Sequence, residues 1–160
     1  MSLAVVSLGS NMGDWKAIFL NAFSHFKMLG RIDEKSSVFK TEPWGVQDQP
    51  WFKNQVVGLK TDLPPRVLMS ELLKVEELNG RDRSRETRWG QRTLDLDILF
   101  FENQTINTQD LIIPHPRMHL RNFIMDPLCE IYPQLFHTVL KKKMVELKHE
   151  CTDLTKTEKF

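Results

Sequence analysis

Cysteine is scarce in this chain of 160 residues: there are two, Cys129 and Cys151, and they show no metal-ligand spacing. That sets aside a thiolate metal site and fits reduced thiols in the cytoplasm. Long apolar runs are missing as well. No stretch approaches the roughly 20 residues of a membrane helix, and the opening MSLAVVSLGSN has no basic leader region before Gly9-Ser10-Asn11 breaks its apolar run. Excess charge is missing: the net value is +1, so there is no global basic field to hold nucleic acid non-specifically. Internal repeats and low-complexity tracts are absent. What is present is ordinary globular composition, 41% hydrophobic and 27% charged, in a chain long enough for a real core. The expectation is a single cytoplasmic domain over 1–160, with no membrane or nucleic-acid partner, whose electrostatic function comes from local clustering.

Residues 3–10 are apolar and β-branched and read as a strand. Asp14 stands as the N-cap of a helix whose apolar positions, Ile18 to Leu29, recur at helical spacing until Gly30. A second strand is expected over 32–40, a loop over 41–51, which holds two prolines and a glycine, and a third strand over 52–62. Pro64 and Pro65 open a second helix that ends at Gly80. A polar arginine loop covers 81–92, and a fourth strand covers 93–101. Residues 112–123 read as irregular or a short helical turn, and 126–135 as a short helix. The polar residues from about 145 are left outside the fold. The order β-α-β-β-α-β is the split βαβ arrangement. It predicts an α+β, ferredoxin-like sandwich with an antiparallel sheet, helices on one face, and an active site on the loops and the open side.

The stretch RTLDLDIL (92–99) places two acids inside a strand. Alternation puts Asp95 and Asp97 on one face and Leu94, Leu96 and Ile98 on the other. Their Cα atoms are expected about 6.5–7 Å apart from the rise per residue. At an effective dielectric near 20, charges at that distance repel by about 2.5 kcal/mol. A divalent cation, arginines or protonation of one acid would offset this, and hard cations such as Mg²⁺ sit on one or two carboxylates plus substrate phosphates. Just upstream, Arg81, Arg83, Arg85, Arg88 and Arg92 face Asp82 and Glu86 alone, leaving a local charge of +3. Arginine's planar fork suits phosphate. Cations and carboxylates converging on one place suit phosphoryl transfer. A solvated basic loop above a solvated strand face remains the plain alternative.

Phe52 and Asn54, two apart, share a face, and with Phe123 they would sandwich a flat heterocycle and read its edge; spacing alone fits core residues equally well. His115, Arg117, His119 and Arg121 cluster before Phe123. Pro114 and Pro116 argue against a helical zinc pair at His115 and His119 and favour a phosphate-facing segment. The element order with aromatics on the open face also describes an RNA-recognition motif, but the strands lack its glycine–aromatic pattern.

The motifs TEPWGVQDQPWFKN, GRDRSRETRWGQRTLDLDIL and IPHPRMHLRNF, running from SLGSN at 7–11 to PLCEIYP at 127–133, resemble the 6-hydroxymethyl-7,8-dihydropterin pyrophosphokinase family of folate biosynthesis. The resemblance implies transfer of pyrophosphate from ATP to the hydroxymethyl group of 6-hydroxymethyl-7,8-dihydropterin, with AMP released. It implies two Mg²⁺ ions on Asp95 and Asp97, ATP as co-substrate, and a monomer. Arg81 and Arg92 would stabilise the transition state, and Asp95 would also orient or deprotonate the alcohol. The pterin would lie between Phe52 and Phe123, read by Asn54 and the Thr41, Pro43 and Trp44 stretch, with Trp89 closing over the site. Glu76, Arg83, Trp89, Ile98, His115 and Arg121 would meet the nucleotide. Some positions depart from known members: Phe52 stands where a tyrosine is familiar, Asp110 and Ile112 where some have Arg and Thr, and Pro116 where others have tyrosine. The arginine loop is one residue longer than in some members, so Arg83 and Arg85 both stay open as the ATP contact.

Overall fold

Asp14 caps the first helix, its Oδ1 accepting the Ala17 backbone N–H at 3.3 Å, and Pro65 opens the second, where a missing N–H leaves no bond unmade. The computed structural model of the chain describes residues 1–43, 48–86, 90 and 92–160. In order these form β1 (Ser2–Ser10), α1 (Trp15–Leu29), β2 (Arg31–Lys35), β3 (Phe39–Thr41), β4 (Phe52–Thr61) and α2 (Pro65–Leu78). A 3₁₀ turn at Arg83–Arg85 leads to β5 (Asp95–Phe101), β6 (Ile106–Asn107) and β7 (Ile112–Ile113). A second 3₁₀ turn at Met118–Leu120 leads to α3 (Asn122–Ile131), β8 (Phe136–His137), β9 (Lys142–Lys143), α4 (Met144–Glu150) and β10 (Thr157–Lys159).

The main sheet runs β10-β3-β4-β1-β5, with β2 pairing β4 as well, and the pairs are antiparallel. The split βαβ order stands. On one face, Val6, Leu8, Leu59, Leu94 and Leu96 pack under Phe19 and Phe26 of α1 and Leu68 and Leu72 of α2. On the other, Val5, Val56, Leu99 and Phe100 pack under Ile124, Met125 and Leu128 of α3 and Met144 and Leu147 of α4. Helices therefore cover one face fully and the far half of the other. The uncovered half lies where β1 ends and β4 and β5 begin.

The expected second strand divides into β2 and β3 at Ser36. Its buried side chain takes over the ladder: Ser36 Oγ accepts the Val56 N–H at 3.0 Å, and its carbonyl accepts Gln55 Nε2 at 2.6 Å. The helix expected from 126 begins instead at Asn122 and runs through Pro127, so Phe123 belongs to its first turn. Residues beyond 145 are not outside the fold. They complete α4 and add β10 to the sheet edge, Thr157 opposite Thr41.

Candidate active site

The floor of the site is one row across the sheet. Asn54 of β4 pairs with Gly9 of β1, and Gly9 pairs with Asp95 of β5. Ser7 stands opposite Asp97. Glycine suits the centre of this row: a Cβ there would meet Asn54 Oδ1 at 3.1 Å and Asp95 Cβ at 3.9 Å. Above the floor lies a cavity with about 690 Å³ of empty space, its open mouth included. Thr41, Phe52, Asn54 and Phe123 line it together with Arg92, Asp95, Asp97 and Arg121. Asn54 Nδ2 donates to Thr41 Oγ1 at 2.8 Å, which fixes the amide. The Arg121 guanidinium lies over the Phe123 ring, 5.6 Å from its centroid.

The two aspartates share a face, as alternation requires, but not an environment. Asp95 Oδ1 accepts from Arg81 at 2.9 Å and Oδ2 from Arg92 at 3.2 Å. Burial works against its charge, but Arg92 and Arg81 outweigh it and hold the carboxyl below the usual range. Asp97 has no hydrogen-bond or salt-bridge partner among the described residues. Burial first, then Asp95 and Glu76, push it up to about 7. Arg121 and Arg81 pull the other way without cancelling this, so the arginines offset one acid more fully than the other. Among the described residues no group of three or more His, Cys, Asp or Glu side chains surrounds a metal position. Two carboxylate donors on one wall fit an oxygen-seeking ion that takes its remaining ligands from phosphate and water.

Behind the cavity, the free edge of β5 is covered by side chains rather than by a strand. Arg81 donates to the Leu94 carbonyl at 3.1 Å, and the Leu96 N–H donates to Glu76 Oε2 at 3.0 Å. Arg81 also grips Glu76 at 2.5 Å and Glu86 at 2.7 and 2.9 Å. The Arg81 and Glu76 side chains are 3% and 1% exposed. Arg83 reaches the other oxygen of Glu76 at 2.7 Å and is 57% exposed, while Arg85 is 87% exposed and pairs with Asp82. Of the two, Arg83 is the one turned inward. Ile98 continues the edge with its side chain in the core, and period-two alternation puts its N–H on the same side as that of Leu96. His115 follows, its N–H donating to the Leu99 carbonyl at 2.9 Å. Burial and then Arg121 push its ring down to about 4, so it is neutral. Glu76, Arg81, Arg83, Ile98 and His115 therefore form a wall beside the cavity. Pro43 is buried next to Thr41. Trp44 and Trp89 lie outside the described residues.

Sequence reasoning missed Asn11, Gly9, Ser7 and Glu86. Asn11 is the most connected: its Oδ1 accepts the Arg92 N–H at 3.0 Å, and its Nδ2 donates to Gln49 at 2.9 Å and to the Pro50 carbonyl at 3.0 Å. It joins the end of β1 to both loops. A glycine inside a strand was a signal available for Gly9; the Asn11 contacts have none, because they join residues 38 to 81 positions apart.

Residues 5–133 match the family model described as 7,8-dihydro-6-hydroxymethylpterin-pyrophosphokinase. A 2-amino-4-hydroxy-6-hydroxymethyldihydropteridine pyrophosphokinase of Bacillus subtilis is 41% identical over 136 residues, 84% of this chain and 80% of that one. The Aquifex aeolicus protein of the same name is 36% identical over 152 residues, 95% of this chain and 94% of that one. Among solved structures, a Plasmodium falciparum HPPK-DHPS with pteroate superposes with a TM-score of 0.75 at 18% identity. That likeness covers 93% of this chain and 42% of the longer one, and it shows the fold. On the matched motifs and these relatives, the chain belongs to the 7,8-dihydro-6-hydroxymethylpterin-pyrophosphokinase family.

Proposed function

We propose that the cavity over Gly9 is where this pyrophosphokinase moves the pyrophosphoryl group of ATP onto the hydroxymethyl group of 6-hydroxymethyl-7,8-dihydropterin, releasing AMP. The observation that carries the assignment is the shared lining: Phe52, Asn54 and Phe123 border the same space as Asp95, Asp97 and Arg92. A flat heterocycle stacks between the aromatic rings, and Asn54, oriented by Thr41, reads its edge. Asp95 and Asp97 would hold two Mg²⁺ ions, which when bound offset the charge of the ATP phosphates. Arg92 and Arg81 add fixed positive charge where it develops in the transition state. Ionised Asp95 faces the alcohol and orients its O–H. As the alcohol oxygen bonds to the β-phosphorus its proton passes to the Asp95 carboxylate, the bond between that phosphorus and the bridging oxygen to the α-phosphate breaks, and AMP carries the electron pair away. Arg83, Glu76, Ile98, His115 and Arg121 make the nucleotide wall, with Pro43, Trp44 and Trp89 at the pterin. In this reading the working unit is a monomer of one domain, 1–160, in the cytoplasm, with no nucleic-acid or membrane partner. No helix among the described residues is long and apolar enough to cross a membrane.

The test is direct. The protein is incubated with ATP, Mg²⁺ and the hydroxymethyl-dihydropterin, and the nucleotides are separated by chromatography. AMP that requires the pterin is the expected product. ADP alone, or no turnover, overturns the assignment.

A further inference from the structure

Residues 153–160 lie beyond the family match, which ends at residue 133, and they touch both walls of the cavity. On the Phe123 side, Asp153 Oδ2 accepts the Asn122 N–H at 2.9 Å, and Asn122 Nδ2 donates to the carbonyls of Asp153 at 2.6 Å and Thr155 at 3.3 Å. Asn122 is the first residue of α3 and the neighbour of Phe123. Asp153 Oδ1 in turn accepts from the Thr155 N–H at 2.9 Å and hydroxyl at 2.6 Å, which bends the segment toward the other side. There the Lys156 N–H donates to Glu42 Oε1 at 2.9 Å, and the Lys156 carbonyl accepts the Glu42 N–H at 3.2 Å. Thr157 pairs with Thr41, and the segment closes with the Phe160 N–H on the Val38 carbonyl at 2.8 Å. Thr41, Glu42 and Phe123 all line the cavity.

We propose that residues 153–157 are a positioning strap for the pterin slot, holding the Thr41–Glu42 wall at a fixed distance from the Phe123 wall. The proposal rests on reading this cavity as the pterin site. Only three residues separate the Asn122 anchor at Asp153 from the Thr41 partner at Thr157, so the strap has little slack. Each wall is held by backbone groups as well as side chains. The exposure of the strap alternates residue by residue, with Asp153, Thr155 and Thr157 turned inward and Thr152, Leu154 and Lys156 outward. It is therefore a strand-like piece whose inward side chains are hydrogen-bonding rather than apolar. These contacts meet the cavity at Thr41–Glu42 on one side and at the Asn122–Phe123 turn on the other.

Two single substitutions cut the two anchors independently. Asp153→Ala removes the acceptor of the Asn122 N–H, and Lys156→Pro removes the N–H that holds Glu42. In the pterin-dependent AMP assay each raises the KM for 6-hydroxymethyl-7,8-dihydropterin by about tenfold, the worth of one or two hydrogen bonds. The KM for ATP stays within twofold, and the melting midpoint stays within a few degrees. Asp153→Asn, which keeps an oxygen toward Asn122, returns the pterin KM to within threefold of the parent. A pterin KM that does not move, or equal changes in both KM values, overturns the strap while leaving the pyrophosphokinase reading intact. Loss of the fold in both Asp153→Ala and Lys156→Pro overturns it too, because a positioning element is not needed to fold. A parent protein that forms no pterin-dependent AMP overturns the underlying site reading, and the strap with it.

Discussion

Arg81 shows how one buried cation ties three acids and a strand edge together. Its guanidinium meets Glu76, Glu86 and Asp95 and also the Leu94 carbonyl, while almost no solvent reaches it. Burial opposes its charge, but Glu86 and then Asp95 more than compensate and raise its pKa. Removing one partner from such a network strands the others. Arg81→Met is expected to cost about 3–5 kcal/mol in urea unfolding, whereas Arg81→Lys keeps the charge, loses the fork and costs less. Equal stability of Arg81→Met and the parent would show that the buried acids find other partners. His115 gives a pH signature of its own. Its folded pKa of about 4 lies below the ordinary value of 6.5, so between those limits the unfolded chain binds more protons. Stability from this group rises with pH through that window and is lost as pH falls from about 6.5 toward 4. His115→Gln should flatten that part of the curve relative to the parent, measured by urea midpoints at pH 7 and pH 5. An unchanged slope would mean that His115 is accessible to protons in the folded state.

Among the elements, α3 is seated on β4 through Gly58. A Cβ at Gly58 would lie 1.9 Å from the Tyr132 hydroxyl oxygen, at the end of α3, and that hydroxyl donates to Asp33 Oδ2 at 2.9 Å. Gly58→Ala must therefore displace Tyr132 or the strand, at a cost of about 1–3 kcal/mol. In the Tyr132→Phe background the nearest atom becomes a ring carbon at 2.9 Å, so the same substitution should cost less, a coupling read from a double-mutant cycle. Strict additivity would place the strain elsewhere. The pattern of what was legible follows from the same physics. β1, α1, β4, α2 and β5 carry apolar periodicity, and they appear where that periodicity puts them, with Asp95 and Asp97 together on the site face. α3 was misplaced because Pro127 reads as a helix start, although the packed helix carries it in its interior. β10 and its lead-in were invisible because their inward residues are Asp153, Thr155 and Thr157, held by hydrogen bonds to distant positions. Alternation of hydrophobicity carries no trace of a strand built that way. The cavity residues on loops were found through motifs and not through any local structural rule.

For the molecule as a whole, a net charge of +1 conceals a division of labour. Arg81 and Arg92 hold Asp95 ionised, while Asp97 is pushed up to about 7 because burial, Asp95 and Glu76 outweigh the pull of Arg121 and Arg81. Bringing ATP phosphates into this cavity without a metal sets them against two carboxylates. With Mg²⁺, the same carboxylates become attractive. Ligand binding should therefore be visible in global stability and should depend on the metal. A ligand at 100 times its Kd adds about 2.7 kcal/mol, and about 2–4 °C accompanies each kcal/mol in a domain of this size. A non-hydrolysable ATP analogue with Mg²⁺ is expected to raise the melting midpoint by roughly 5–10 °C at that saturation. EDTA should remove most of the shift. Asp97→Asn, which takes away one donor and the Asp95–Asp97 repulsion, should leave the apo midpoint near or above that of the parent, shrink the shift seen with Mg²⁺, and reduce the difference EDTA makes. The same shift in EDTA as in Mg²⁺ would mean that the arginines alone hold the phosphates, and the carboxylate pair would then need another reason to stand together on one face of β5.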